Sequence, residues 1–196
     1  TVKHDLMTAH SDVLRASELV VVLRSVRQMP ELASAETPLV SRPFLGDLYE
    51  VLMINKSHRL IAARRVDIQT LKLTADDAIT LARQQLSAHL GAINAQVMHE
   101  VTLQVAASGL ASGLPLMQES CTSNTQDAFW YVFDKNMVMT ANTDNPVAVS
   151  NLLKLSRQAK ADQTAFSDTV LMCRKGRWAE RTDSGDVHFA SDSRTH

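Results

Sequence analysis

Apolar residues crowd without alternation at residues 19–23, and again at residues 48–54, where Glu50 is the only charge. Uninterrupted runs of this length predict strands covered on both faces. The β-branched Val20, Val21, Val22 and Val26 favour a pleated strand. Between the two runs, Pro30, Pro38 and Pro43 punctuate a loop. The residue before a proline is pushed toward extended geometry, so Arg42 enters extended, and Gly46 lets the chain turn into the second strand. Residues 55–58 (NKSH) carry a turn signal. Residues 60–63 then read as the returning strand of a hairpin that closes on Arg64 and Arg65.

The period changes after residue 73. Thr74 is a good N-cap, with Asp77 three residues on and Asp76 beside it, both suited to the positive end of a helix dipole. Ile79, Ala82, Leu86 and Leu90 share one helical face, and Gly91 stands where a helix commonly ends. Residues 96–106 alternate imperfectly and predict one strand, with Val97, His99, Val101, Leu103 and Val105 on a common face. Residues 107–127 are small and polar, and SGLASG (108–113) reads as a flexible loop. Two β-rich runs around Asp134, Lys135 and Asn136 predict a hairpin. Asn145 and Pro146 pair as N-cap and first helical residue of a helix running to about Lys160, with Val149, Leu152, Leu153 and Ala159 inward. A last hairpin turns at Gly176. Hairpins dominate, so the expected class is α+β, a mostly antiparallel sheet built from hairpins with helices packed on it.

The chain has 196 residues and is 45% hydrophobic, enough for one domain with a real core. The expected organisation is a short helical remnant at 1–17, with residues 5–16 helical, one domain at 18–181, and a disordered polar tail at 182–196. The chain opens on Thr1 without a charged-then-apolar leader, which suggests a fragment or a trimmed product. Twenty basic against twenty-one acidic residues leave a net charge of −1, so nothing in the balance draws the chain to nucleic acid or anionic lipid. No apolar run is long enough to span a membrane. The two cysteines, Cys121 and Cys173, are far apart and lack zinc-ligand spacing. They fit a reducing cytoplasm, with a single disulfide as the alternative.

Candidate chemistry is sparse. Cys121 lies in a polar loop where a thiol could react, but no motif brings a histidine beside it. Cys173 falls in a strand and reads as a small buried hydrophobe. The seven histidines, His4, His10, His58, His89, His99, His188 and His196, are scattered and read as surface or turn residues. Capping accounts for Asp76, Asp77 and Asp144. The glycines at 108–113 lack the lysine-containing ending of a phosphate loop. No cofactor and no metal are expected. Arg24, Arg27, Arg42, Arg59, Arg64 and Arg65 are the main candidate binding surface. If the first strand and the hairpin were neighbours, these arginines could make one basic face for an acidic protein surface, a phosphate or a nucleic acid. No aromatic residues interleave with them to stack bases.

Five stretches taken in order carry a resemblance: VVVLRSV; PLVSRPFLGDLYEVLMI; LTADDAITLARQQL; TANTDNPVAVSNLLKL; and DTVLMCRKGRWAE. Together they resemble the YtpQ-like family, a bacterial group of unknown function, over roughly residues 18–180. The resemblance implies the α+β fold and a further segment before the first strand, and it brings no activity. The expected function is a cytoplasmic, non-enzymatic module that binds a protein partner or regulates one, an immunity-like role included. The alternatives are a hydrolase or transferase with a site near Cys121, and a weak nucleic-acid binder acting through the arginines.

Overall fold

The computed structural model describes residues 13–181 and 187–189, and it is an α+β structure of two antiparallel sheets with helices packed on them. The two apolar runs lie side by side. β1 (Leu19–Ser25) is buried at every position. It pairs along its whole length with β3 (Leu48–Lys56), Leu19 opposite Ile54 and Ser25 opposite Leu48. β2 (Ser41–Leu45) and β4 (Arg59–Ala62) take successive stretches of β3's other edge. The strand entered through Pro43 and Gly46 is therefore the interior strand of its sheet.

The second sheet contains β5 (Asn94–Met98), β6 (Val101–Val105), β7 (Ala128–Asp134), β8 (Met137–Asn142), β9 (Val170–Arg174), β10 (Arg177–Arg181) and β11 (Val187–Phe189). Their order across the sheet is β11-β10-β9-β7-β8-β6-β5. The described residues also form three α-helices, α1 (Arg65–Thr70), α2 (Ala75–Leu90) and α3 (Pro146–Ala161), and four short 3-10 helices.

Caps set the helix starts. Thr74 Oγ1 accepts a hydrogen bond from Asp77 N at 3.1 Å, and Asn145 Oδ1 accepts one from Ala148 N at 3.1 Å. α2 lays Ala78, Ile79, Ala82, Leu86 and Leu90 on β1 and β3. α3 lays Ala148, Leu152, Leu153 and Ala159 on β6, β7 and β8. One core cluster runs from α2 through the first sheet to Trp130, Val132, Val138 and Leu171 on the inner face of the second. Another lies between the second sheet and α3, around Tyr131, Met139, Leu152 and Val170. The layers are therefore helix, sheet, sheet, helix. Fully burying one such leucine or valine stabilises by about 1.5–3 kcal/mol.

Three expectations change. Residues 96–106 are not one strand. His99 and Glu100, at φ of 51° and 66°, make a two-residue turn between β5 and β6. Val101 and Leu103 go inward, and Val97, paired with Thr102, is left exposed. Residues 108–113 are not a flexible loop. The 3-10 helix Ala111–Leu116 is buried throughout and packs on β1. Its small residues serve close approach: a Cβ at Gly113 would sit 2.7 Å from the carbonyl oxygen of Val21. The chain after β4 also enters α1, and the backbone N of Arg64, just before it, donates to Asp67 Oδ2 at 2.8 Å. Of the two ends, residues 13–15 are irregular, Ala16–Glu18 form a 3-10 turn, and Val187–Phe189 pair with β10. The rest of the helix expected at 5–16 and of the tail expected at 182–196 lies outside the described residues.

Candidate functional site

Four of the six candidate arginines, Arg24, Arg27, Arg42 and Arg59, sit in separate settings, and only the adjacent Arg64 and Arg65 stay together. Arg24 and Arg27 stand at the Leu48 end of β3, whereas Arg59 pairs with Lys56 at its other end. Eight residue steps along a strand separate those ends by roughly 27 Å. Arg24 is only 8% exposed. It donates to Ser112 Oγ at 2.7 Å and to Leu23 O at 3.1 Å, and lies over the Phe166 ring at 6.0 Å. Burial lowers its pKa from 12.5 to about 10. Arg27 pairs with Asp168 at 3.0 Å. Arg42 pairs with Glu50 at 2.5 Å and with Asp76 at 3.5 Å. Burial opposes the Arg42 charge, but hydrogen bonding and attraction to Glu50 and then to Asp76 outweigh it and raise its pKa. Arg59, Arg64 and Arg65 are exposed at and beyond the β4 hairpin. The converging basic face expected from the sequence is not formed by these side chains.

Two carboxylate clusters, one around the buried Glu50 and one around the half-buried Asp47, are structural in geometry. Glu50 lies under α2 and accepts from Arg42 and from Arg83 Nε, the latter at 2.6 Å, so one carboxylate ties β2, β3 and α2. Asp47, in the β2–β3 turn, accepts from Ser167 Oγ at 2.5 Å, Thr169 Oγ1 at 2.6 Å and Asp168 N at 3.0 Å. That clasp joins the first sheet to the segment leading into β9. Beside it, Tyr131 donates to Ser167 O at 3.0 Å. Burial, then the charges of Asp168 and Asp47, push the Tyr131 pKa from 10.0 up to about 12, against a smaller opposing effect of Arg27. Ser167 is fully buried, so its hydroxyl offers no route to a substrate.

The cysteines overturn their separate readings. Cys121 and Cys173 form a disulfide with Cα atoms 5.7 Å apart, so Cys121 is not a free nucleophile. Persistent disulfides belong to oxidising compartments, which removes the main support for a reducing cytoplasm. A cleft of about 540 Å³ is lined by Arg157, Lys160, Ala161 and Arg181, and another of about 370 Å³ lies between residues 13–18 and 55–57. Cys121 lines neither. Among the described residues no three His, Cys, Asp or Glu side chains gather as a metal-ligand set, and no helix is long and apolar enough to cross a membrane. His89 bridges Asn55 Nδ2 at 3.1 Å and Ser17 O at 2.7 Å, while His58 and His99 sit in turns. Of the remaining histidines, the side chains lie outside the described residues.

Exposed apolar side chains gather at the β5 edge of the second sheet, with others at Val13, Ile61 and Val66 elsewhere. Every residue of β5 is exposed, with Val97 at 72% and Met98 at 53%. Met98 pairs with Val101, which faces α3, so Met98 lies on the α3 side and Val97 on the other. Asn151 of α3 donates to His99 O at 2.7 Å, fixing α3 over the β5–β6 turn. Val147 and Leu155, one helical turn to either side of Asn151, are 55% and 37% exposed. Met98 and this helix stripe thus lie on one face of the β5 edge, with Val97 on the other. Sequence reasoning missed it because Val97 fits the alternation that places Val101 and Leu103 in the core. Comparison with protein-family models, with curated proteins and with solved structures finds no match.

Proposed function

We propose that the protein is a binding module that takes a strand from another polypeptide onto β5. The observation that carries this reading is the contrast between β5 and the edges of the first sheet. An exposed strand edge presents unpaired N–H and C=O groups, and proteins usually guard such edges with charge, proline or a cover. The free edge of β1 is covered by the 3-10 helix Ala111–Leu116. β2 carries Arg42 and Pro43, and β4 begins with Arg59. β5, reading Asn-Ala-Gln-Val-Met, carries neither charge nor proline, and each of its residues is exposed. Strand addition draws affinity from main-chain hydrogen bonds and specificity from flanking apolar contacts, which is what Met98, Val147 and Leu155 offer.

A regulatory or immunity-like role falls within this class, and the likeness to the YtpQ-like family remains a resemblance in residue pattern. The disulfide favours an oxidising compartment over the cytoplasm as the place of work. The enzymatic alternative loses its nucleophile to that disulfide. The nucleic-acid alternative loses the cooperation of its arginines.

The test is capture of partners from the source cells by wild-type protein, by Val97→Lys/Met98→Lys, and by Arg64→Glu/Arg65→Glu. A stoichiometric partner lost with the first variant and kept with the second supports the edge. A partner kept with the first and lost with the second transfers the site to the arginines.

A further inference from the structure

Resting on the strand-recruiting reading, we infer that the strand β5 recruits is β5 of a second copy of the chain. The argument is self-complementarity. A two-fold axis perpendicular to the sheet and passing through Gln96 sets two copies of β5 antiparallel, the arrangement already used between every neighbouring pair in this sheet. Gln96 then faces Gln96, Ala95 faces Val97, and Asn94 faces Met98. Just beyond, Ile93 faces His99 and Ala92 faces Glu100. No two like charges oppose each other along this border, whereas directly opposed like charges destabilise a strand pair. The same axis keeps both α3 helices on one face of the joined sheet. Val147 and Leu155 of each copy then lie on the same face of the joined sheet as the two Met98 side chains. The two-fold contact is closed at β5: it uses up both β5 edges, and the sheet's other edge, β11, takes no part in it.

Closed two-fold pairing also predicts a chemical signature. Opposed residues in an antiparallel pair have Cα atoms roughly 4.5–5.5 Å apart, within disulfide reach. Gln96→Cys should therefore cross-link to its own counterpart, while Asn94→Cys, facing Met98, should not. The native cysteines are already joined to each other and do not compete.

The experiment is sedimentation of the intact oxidised chain over a concentration series, for wild type, Val97→Lys, Gln96→Cys and Asn94→Cys. All of these positions are exposed, and circular dichroism checks that each variant folds. The expected result is a wild-type mass of twice the chain, one chain mass for Val97→Lys, and a covalent dimer for Gln96→Cys alone. A wild type that stays monomeric at every concentration overturns self-pairing. If it still captures a different protein that Val97→Lys loses, the strand-recruiting reading stands. A dimer that persists in Val97→Lys, or cross-links equally through Asn94→Cys, overturns the β5 seam.

Discussion

Asp47 holds the segment before β9 through two hydroxyls and one amide, and none of these donors is near it in sequence. Each hydrogen bond to a charged group is worth about 1.5–3 kcal/mol, and removing the acceptor strands buried donors. Asp47→Ala should therefore destabilise by roughly 3 kcal/mol or more in chemical denaturation. Loss of less than about 1 kcal/mol would show that the clasp is incidental. Tyr131 gives the clasp a pH dependence. Its folded pKa, about 12, lies above the unfolded 10.0, so the neutral phenol is favoured in the fold. The stability it contributes is complete below the unfolded value and is lost as pH rises from 10.0 toward 12. Denaturation across that range should show wild type losing this contribution and Tyr131→Phe lacking the loss. The Phe variant should cost about 1 kcal/mol at neutral pH for its missing hydrogen bond. Equal slopes for the two proteins would remove Tyr131 from the account.

At the scale of elements, the legible parts were those whose signal is local. LVVVL at β1 and the apolar run of β3 announce strands buried on both faces. Thr74 and Asn145 announce helix starts, and their side chains make the bonds expected of caps. The hairpins at Asp134–Asn136 and Gly176 were legible for the same reason. The illegible parts depend on distant contacts or on uncommon backbone. His99 and Glu100 both adopt positive φ without being glycine or asparagine, so β5 and β6 read as one strand. Residues 108–113 look mobile because they are small, and they are small because the chain passes against the β1 backbone. Gly113→Ala tests this: its Cβ would meet Val21 O at 2.7 Å, a backbone atom that cannot swing away. Overpacking of this kind costs about 1–3 kcal/mol, read as a lowered denaturation midpoint with unchanged slope. A neutral or stabilising outcome would mean that the 3-10 helix does not press on β1. The arginine surface failed for a long-range reason too, because strand pairing sends Arg24 inward and places Arg59 at the far end of β3.

The whole molecule is held by two sheets, two core clusters and one covalent tie across a sequence separation of 52. In the chain-entropy description, closing a loop of that length stabilises by about 4 kcal/mol. Reduction, or Cys121→Ser/Cys173→Ser, should lower stability by roughly that amount while leaving the wild-type oxidised protein without free thiol. A thiol assay that finds two reactive cysteines in protein purified under oxidising conditions would contradict the tie and the compartment it favours. Among the described residues β5 is a sheet edge exposed at every position, and the account rests on that edge being where the molecule meets another chain. Amide hydrogen exchange along β5, measured on wild-type protein in dilute and in concentrated solution, tests this most directly. Alternate β5 amides point away from β6, and no other strand among the described residues pairs with them. The account predicts that they exchange freely in the dilute sample and become protected in the concentrated one, with no such change in Val97→Lys. Free exchange at both concentrations would contradict it.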